Sequence, residues 1–336
     1  MRATIKDIAK KANVSITTVS LVLNKKDSNI SDETRNKIMK VVDELNYTPN
    51  KIAKGLITKK TNTFGLIIPD IANPFFPEIV RGVEDVANNN GYNLILCNTD
   101  DNPKKEEKYT KILIEKCVDG IIFISTSKSK DNNIKLLKKY NVPYVVLDRD
   151  VDNPDSPYIH TDDEKGMYEV VKFLIKNGHK KIAYISGPKE NTTSQKRKNG
   201  YIKALKEMGI PIKNTIIREG NYKIDGGQYC IKSLLDSKEE FSAVACANDL
   251  MAIGAMEALK SRGILIPDDI SLTGYDDIYI SKITTPKLTT VEQPKYELGR
   301  ISTETLLKII YGIKVHPIEI KLEPKLIVRD SVAVKR

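Results

Sequence analysis

The side chains able to do covalent or metal chemistry are few and poorly spaced. Three histidines, His160, His179 and His316, are scattered along 336 residues with no nucleophile beside them. Four cysteines, Cys97, Cys117, Cys230 and Cys246, form no C-x-x-C pair. A zinc site is therefore not expected, and the thiols read as small apolar core residues. Neither G-x-x-x-x-G-K-[ST] nor G-x-G-x-x-G occurs, so no nucleotide-phosphate loop is expected. Nothing resembles a nucleophile–base pair or a metal set, which points away from an enzyme and calls for no cofactor or metal. What the chain does concentrate is positive charge. Residues 1–62 hold 13 Lys and Arg against six acids, +7 of a formal +10. A small basic head on a nearly neutral body implies a polyanion partner for the head.

The elements that carry this charge are helical. Thr4 can cap a helix to Ala12, with Asp7 completing a capping box. Ile5, Ile8, Ala9 and Ala12 give that helix one apolar face. Asn13 tolerates the left-handed geometry of a tight turn, and Val14 can plug the turn into the core. Ser15 can cap a second helix, Ile16 to about Leu23, with Val19, Val22 and Leu23 inward. Ser31 starts a third, with Ile38, Val41, Val42 and Leu45 on one face. This is the helix-turn-helix layout, whose second helix enters the DNA major groove, although plain helical hairpins share the spacing.

The residues themselves go further. TIKDIAKKANVSITTVSLVLN closely resembles the N-terminal helix-turn-helix of the LacI/GalR family of bacterial repressors. ETRNKIMKVVDELNYTPNKIAKGL resembles that family's third helix and hinge. The resemblance implies that Ile16, Thr17 and Leu21 read base edges, while Thr4, Ser15, Thr18, Ser20 and Asn24 serve phosphates or caps. Leu21 departs from the polar or basic residue common at its place and can make only apolar contact, for instance with a thymine methyl. Residues 50–61 match the hinge. There Asn50, Lys51, Ala53 and Lys54 would face DNA, and Leu56 would wedge into the minor groove, kinking the duplex at a cost of a few kcal/mol. Lys59 and Lys60 add salt-sensitive attraction to phosphate.

From Thr63 onward short apolar runs alternate with helical patterns. FGLIIPD, YNLILCNTD, DGIIFIS and VPYVVLD read as strands. Helices fall between them, at PEIVRGVEDVANNNG and around Glu106–Cys117 and Ile134–Tyr140. A second series contains KIAYISG, SAVACAND and DISLTGYDD, with helices near Gln195–Met208, Gly226–Leu235 and Leu250–Arg262. Two such series imply two α/β lobes, each a parallel sheet covered on both faces, with a cleft between them.

This body is similar to periplasmic sugar-binding proteins, especially the ribose-binding kind, and to LacI-family effector domains. The resemblance implies an all-α helix-turn-helix DNA-binding head, residues 1–49, a hinge at 50–61, and an α/β two-lobed periplasmic-binding-protein-like body at 62–336. The first lobe would take about 62–160 and 292–320, including a helix at Lys295–Ile310. The second would take about 161–291 and 321–336. Effector contacts are then expected at strand ends, from Asn73, Phe75, Phe76, Asp148, Arg149, Arg197, Tyr222, Asn248, Asp276 and Gln293. An aromatic face can stack on the C–H face of a sugar, a carboxylate can accept from two vicinal hydroxyls, and a guanidinium can donate to two oxygens.

The function so implied is a homodimeric repressor on double-stranded operator DNA, released by a small ribose-like sugar. Some relatives are instead corepressed by purines, and others of the catabolite-control type act with a phosphorylated phosphocarrier protein. A sugar-binding transport component is the alternative of a different class, and the basic head speaks against it. No apolar run nears the roughly 18 residues of a membrane span, and the N-terminus has no signal-peptide core, so a cytoplasmic protein is expected. The chain ends without a heptad tail after LIVRDS, which favours a dimer over a tetramer.

Overall fold

The computed structural model describes residues 3–24, 27, 29–48, 60–125, 132–150 and 155–335. It divides into two units, Met1–Thr61 and Asn62–Arg336. The hinge candidates Asn50, Lys51, Ala53, Lys54 and Leu56 lie outside the described residues.

The first unit is three helices around one small core. Helix α1, Ile5–Ala12, opens on the expected capping box, in which the Thr4 N–H donates to Asp7 Oδ2 at 2.9 Å. Asn13 takes φ 52°, and the Val14 N–H closes the turn on the Ala9 carbonyl at 3.0 Å. Helix α2, Ile16–Leu23, is capped by Ser15, whose Oγ accepts from the Thr18 N–H at 3.0 Å. Helix α3, Asp32–Glu44, is capped by Ser31. Ile8, Ala12, Val19 and Ile38 are fully buried between the helices. Each large apolar side chain so buried contributes about 1.5–3 kcal/mol, which a unit this small needs.

The second unit has two lobes. In the first, strands β1 (Thr63–Ile68), β2 (Asn93–Asn98), β3 (Gly120–Phe123), β4 (Tyr144–Leu147) and β5 (Tyr158–Thr161) join a late strand, β11 (Glu319–Leu322). All run parallel in the order β11-β5-β4-β3-β1-β2. Helices α4 (Phe75–Asn89) and α11 (Lys295–Ile310) cover one face, and α5 (Pro103–Glu115) and α6 (Asn132–Lys139) the other. Helices α4 and α11 touch backbone to backbone. A Cβ at Gly82 would lie 2.2 Å from the Tyr296 carbonyl oxygen, so only glycine fits there.

The second lobe holds β6 (Ile182–Ser186), β7 (Ile217–Glu219), β8 (Ala243–Cys246) and β9 (Ser271–Thr273), parallel in the order β7-β6-β8-β9. Its helices are α7 (Asp163–Lys176), α8 (Thr192–Glu207), α9 (Ile224–Asp236) and α10 (Asp249–Ser261). An antiparallel pair, β10 (Thr290–Glu292) and β12 (Lys325–Ile327), joins this sheet through bridges at Thr273–Thr289 and Asp276–Glu292. The chain thus crosses between lobes three times, at Asp162, after Glu292 and after Leu322. The first sheet reaches Leu322, two residues beyond the expected limit at 320, because β11 pairs with β5 through to Thr161. Strand β5 and helix α7 have no counterpart in the expected series of elements.

Candidate effector cleft and DNA-reading helix

Strand ends and helix starts from both lobes converge on one small cavity of about 40 Å³. From the first lobe come Asn73, then Phe75 and Phe76 at the start of α4, Asp101 after β2, and Asp148 and Arg149 after β4. The second contributes Thr193 and Arg197 of α8, Tyr222 after β7, Asn248 after β8 and Asp276 after β9. Four of these residues hold left-handed backbone: Asp101 at φ 52°, Asp148 at 64°, Tyr222 at 63° and Asp276 at 113°. Each such residue costs of order 1–3 kcal/mol, and such strain collects at functional sites.

The guanidiniums are already engaged. Arg197 Nε donates to Asp163 Oδ1 at 2.7 Å, and Nη1 to the Ala247 carbonyl at 2.6 Å. The same Nη1 stands 3.5 Å from Asp276 Oδ1, and the guanidinium lies 3.9 Å over the Tyr275 ring. Arg149 donates to Asp101 and to the Ser125 carbonyl. Asp148 differs, because its Oδ1 is buried with no hydrogen-bond partner among the described residues. Burial and the nearby Asp163 push its pKa up to about 6, against the pull of Arg149 and Arg197. Burial likewise pushes Asp276 up to about 7, opposed by Arg197 and the Gln293 amide. A buried acceptor without a partner, facing a cavity, is a place for a ligand donor.

The aromatic walls are held from behind. Phe75 and Phe76 pack edge to face at 5.1 Å, and Asn73 Oδ1 accepts from the Phe75 N–H at 3.1 Å. The Tyr222 ring lies over Gly187, where a Cβ would sit 2.1 Å from its Cζ.

Nine of the ten expected effector residues line the cavity, and Gln293 does not. It stands behind Asp276, donating Nε2 to Asp276 Oδ1 at 2.7 Å. Asn248 lines the cavity, but its amide serves the fold. Its Oδ1 caps α10 through the Met251 N–H, and its Nδ2 donates to the Tyr222 carbonyl, each at 3.0 Å. Arg197 reaches the cleft from the second turn of a helix, not from a strand end. Asp70, Asp101, Thr193, Asn221 and Lys223 also line the cavity and were not expected. The polar runs NTDD and EGNYK after strands β2 and β7 are the signal that marks Asp101, Asn221 and Lys223.

In the head, α2 turns Ile16 (46% exposed), Thr17 and Leu21 (37% exposed) outward, while Val19 and Val22 face the core. Thr4, Ser15 and Thr18 have their hydroxyls in local caps, and Asn24 Nδ2 donates to the Ser20 carbonyl at 2.7 Å. The outward face of α2 thus offers mainly apolar and hydroxyl groups.

Comparison with known proteins agrees with both halves. Residues 4–50 match the family described as bacterial regulatory proteins, lacI family. Residues 61–328 match periplasmic binding proteins and sugar binding domain of LacI family. The chain is 42% identical over 335 residues to the HTH-type transcriptional regulator RegA of Clostridium acetobutylicum, covering 98% of this chain and 99% of that one. It is 37% identical over 331 residues to the HTH-type transcriptional repressor PurR of Mannheimia succiniciproducens, covering 98% of each. Among solved structures, the lac repressor dimer bound to operator and the anti-inducer ONPF matches with a TM-score of 0.89 at 29% identity, covering 99% of this chain and 100% of that one. The chain therefore belongs to the LacI family of bacterial transcriptional regulators.

Proposed function

We propose that the protein is a cytoplasmic, homodimeric transcriptional repressor, acting by binding alone, whose operator affinity falls when a small neutral sugar occupies the cleft. The observation that carries the effector half is the unpartnered, buried Oδ1 of Asp148, in a cavity also lined by Arg149, Arg197, Tyr222 and the edge-to-face pair Phe75 and Phe76. Vicinal hydroxyls donate to such a carboxylate, guanidinium N–H groups donate back to ring or hydroxyl oxygens, and an aromatic face covers the C–H side. The outward face of α2 supports the DNA half. A twofold dimer would present two such helices to a pseudo-palindromic operator. Among the described residues no helix is long and apolar enough to cross a membrane.

The sugar acts only through its different affinity for two arrangements of the lobes. A change from 1:99 to 99:1 would need about 5.5 kcal/mol of that difference. A second reading, a purine corepressor, is favoured by the similarity to a protein named PurR. Thermal unfolding with ribose, other pentoses, hexoses, sugar phosphates and purines decides between them. A ligand at about 100 times its Kd adds about 2.7 kcal/mol to the folded state. Stabilisation by hypoxanthine or guanine alone would overturn the sugar assignment.

A further inference from the structure

We infer that Lys295 is a positioning residue for the effector site, an ammonium on the first lobe that holds the backbone of Asp276 on the second. The inference rests on the cleft being the effector site. Lys295 opens helix α11, where a lysine would ordinarily reach solvent, yet its side chain is 3% exposed. Its Nζ donates to the Asp276 carbonyl at 2.8 Å and to the Asp277 carbonyl at 3.1 Å. The nearest acid, Glu78, stands 3.6 Å away and is half exposed. A buried charge held by two neutral carbonyls and one half-exposed carboxylate, too far away for a hydrogen bond, is a poor stabilising device. An apolar side chain of similar volume often serves a fold as well or better. What the ammonium does supply is a restraint on those two carbonyls.

The restrained segment is one that needs holding. Asp276 and Asp277 take φ 113° and 50° in succession, a backbone that L residues rarely adopt. On the same crossover, two residues before Lys295, Gln293 Nε2 holds the Asp276 side chain at 2.7 Å. The Asp276 N–H is bound to the Val291 carbonyl at 2.8 Å. Just beyond, Ile278 is buried in the core of the first lobe. The crossover thus grips Asp276 by its carboxylate, its N–H and its carbonyl. A ligand that moves Asp276 must move the start of α11 with it, and α11 packs along α4, whose first turn carries Phe75 and Phe76.

The test is Lys295→Met, which keeps most of the length of the side chain and removes its charge and donors. In the ligand-free protein, amide exchange of a peptide spanning 274–282 should rise about tenfold or more, while 243–259 stays within about twofold of wild type. In titrations with D-ribose the variant should bind about tenfold more weakly or worse, with the urea midpoint of global unfolding unchanged. Unchanged exchange at 274–282 overturns the inference. So does exchange that rises everywhere together with a fall in the urea midpoint, which would make Lys295 a residue of the fold alone. A wild-type protein that ignores D-ribose speaks against the sugar reading, while the exchange measurement still decides the role of Lys295.

Discussion

Replacing Asp148 with asparagine should weaken the ligand and yet not weaken the protein. In the ligand-free cleft this carboxyl is 4% exposed, and burial, reinforced by Asp163, raises its pKa from 3.8 to about 6. The folded state therefore keeps the proton to higher pH than the unfolded chain does. The resulting penalty is absent below pH 3.8, grows between 3.8 and 6, and is complete above 6. At about 1.4 kcal/mol per pH unit it amounts to about 3 kcal/mol at neutral pH. The asparagine variant would be spared this penalty, although its amide brings new N–H donors, each costing about 1–3 kcal/mol if left unpaired. With one of its two N–H groups left unpaired, Asp148→Asn should gain roughly 0–2 kcal/mol at pH 7.5 and become a net loss of roughly 0.5–2.5 kcal/mol near pH 4, where the carboxyl penalty is nearly gone and the donor cost remains. Ligand affinity moves the other way. Hydrogen bonds to a charged acceptor are worth about 1.5–3 kcal/mol, so the sugar Kd should rise about 10- to 150-fold. Wild-type affinity should itself grow about tenfold between pH 5 and 7 as Asp148 ionises, a dependence the variant loses. Urea unfolding at both pH values and calorimetric titration with ribose measure these effects. A variant destabilised by more than about 1 kcal/mol at pH 7.5, or one that binds the sugar as well as wild type, would refute the reasoning.

Other substitutions probe the remaining parts. Gly187→Ala should displace the Tyr222 ring, since the new Cβ would lie 2.1 Å from its Cζ. Ribose affinity should then drop about tenfold or more in titration, with a stability loss of about 1–3 kcal/mol or less by denaturant unfolding. Leu21→Ala removes an exposed apolar contact, so operator affinity should fall about three- to tenfold while stability stays within about 0.5 kcal/mol. Leu56→Ala should keep its ligand affinity and lose most operator affinity in a gel-shift or anisotropy titration. Unchanged DNA binding there would end the minor-groove wedge idea.

The head was almost wholly legible because its signals are local. A capping box, a left-handed Asn13 and an i, i+3, i+4 apolar pattern each act within four residues. Most strands were legible for the same reason, since buried parallel strands read as short apolar runs. Strand β5 is different. It is only four residues long and includes His160 and Thr161, which stand where the chain crosses between lobes. Helix α7 carries Gly166, whose Cβ would lie 2.3 Å from the Tyr275 hydroxyl, so tight packing has replaced a helix-favouring residue with a helix-weakening one. In the cleft, the strand-end residues were found through family likeness. The pairing of Arg149 with Asp101 and the burial of Lys295 were not, because they join segments distant in sequence. Asn248 lines the cavity, and its position before α10 also makes it a cap.

The central claim is that occupancy of the cleft sets affinity for DNA. It is tested most directly by titrating the protein onto a pseudo-palindromic operator, selected from random DNA, with and without saturating D-ribose. The account predicts that the sugar weakens operator binding by about 5- to 150-fold, a coupling of about 1–3 kcal/mol, and that Asp148→Asn loses this response at the same sugar concentration. A sugar that binds the cleft and leaves operator affinity unchanged would contradict it.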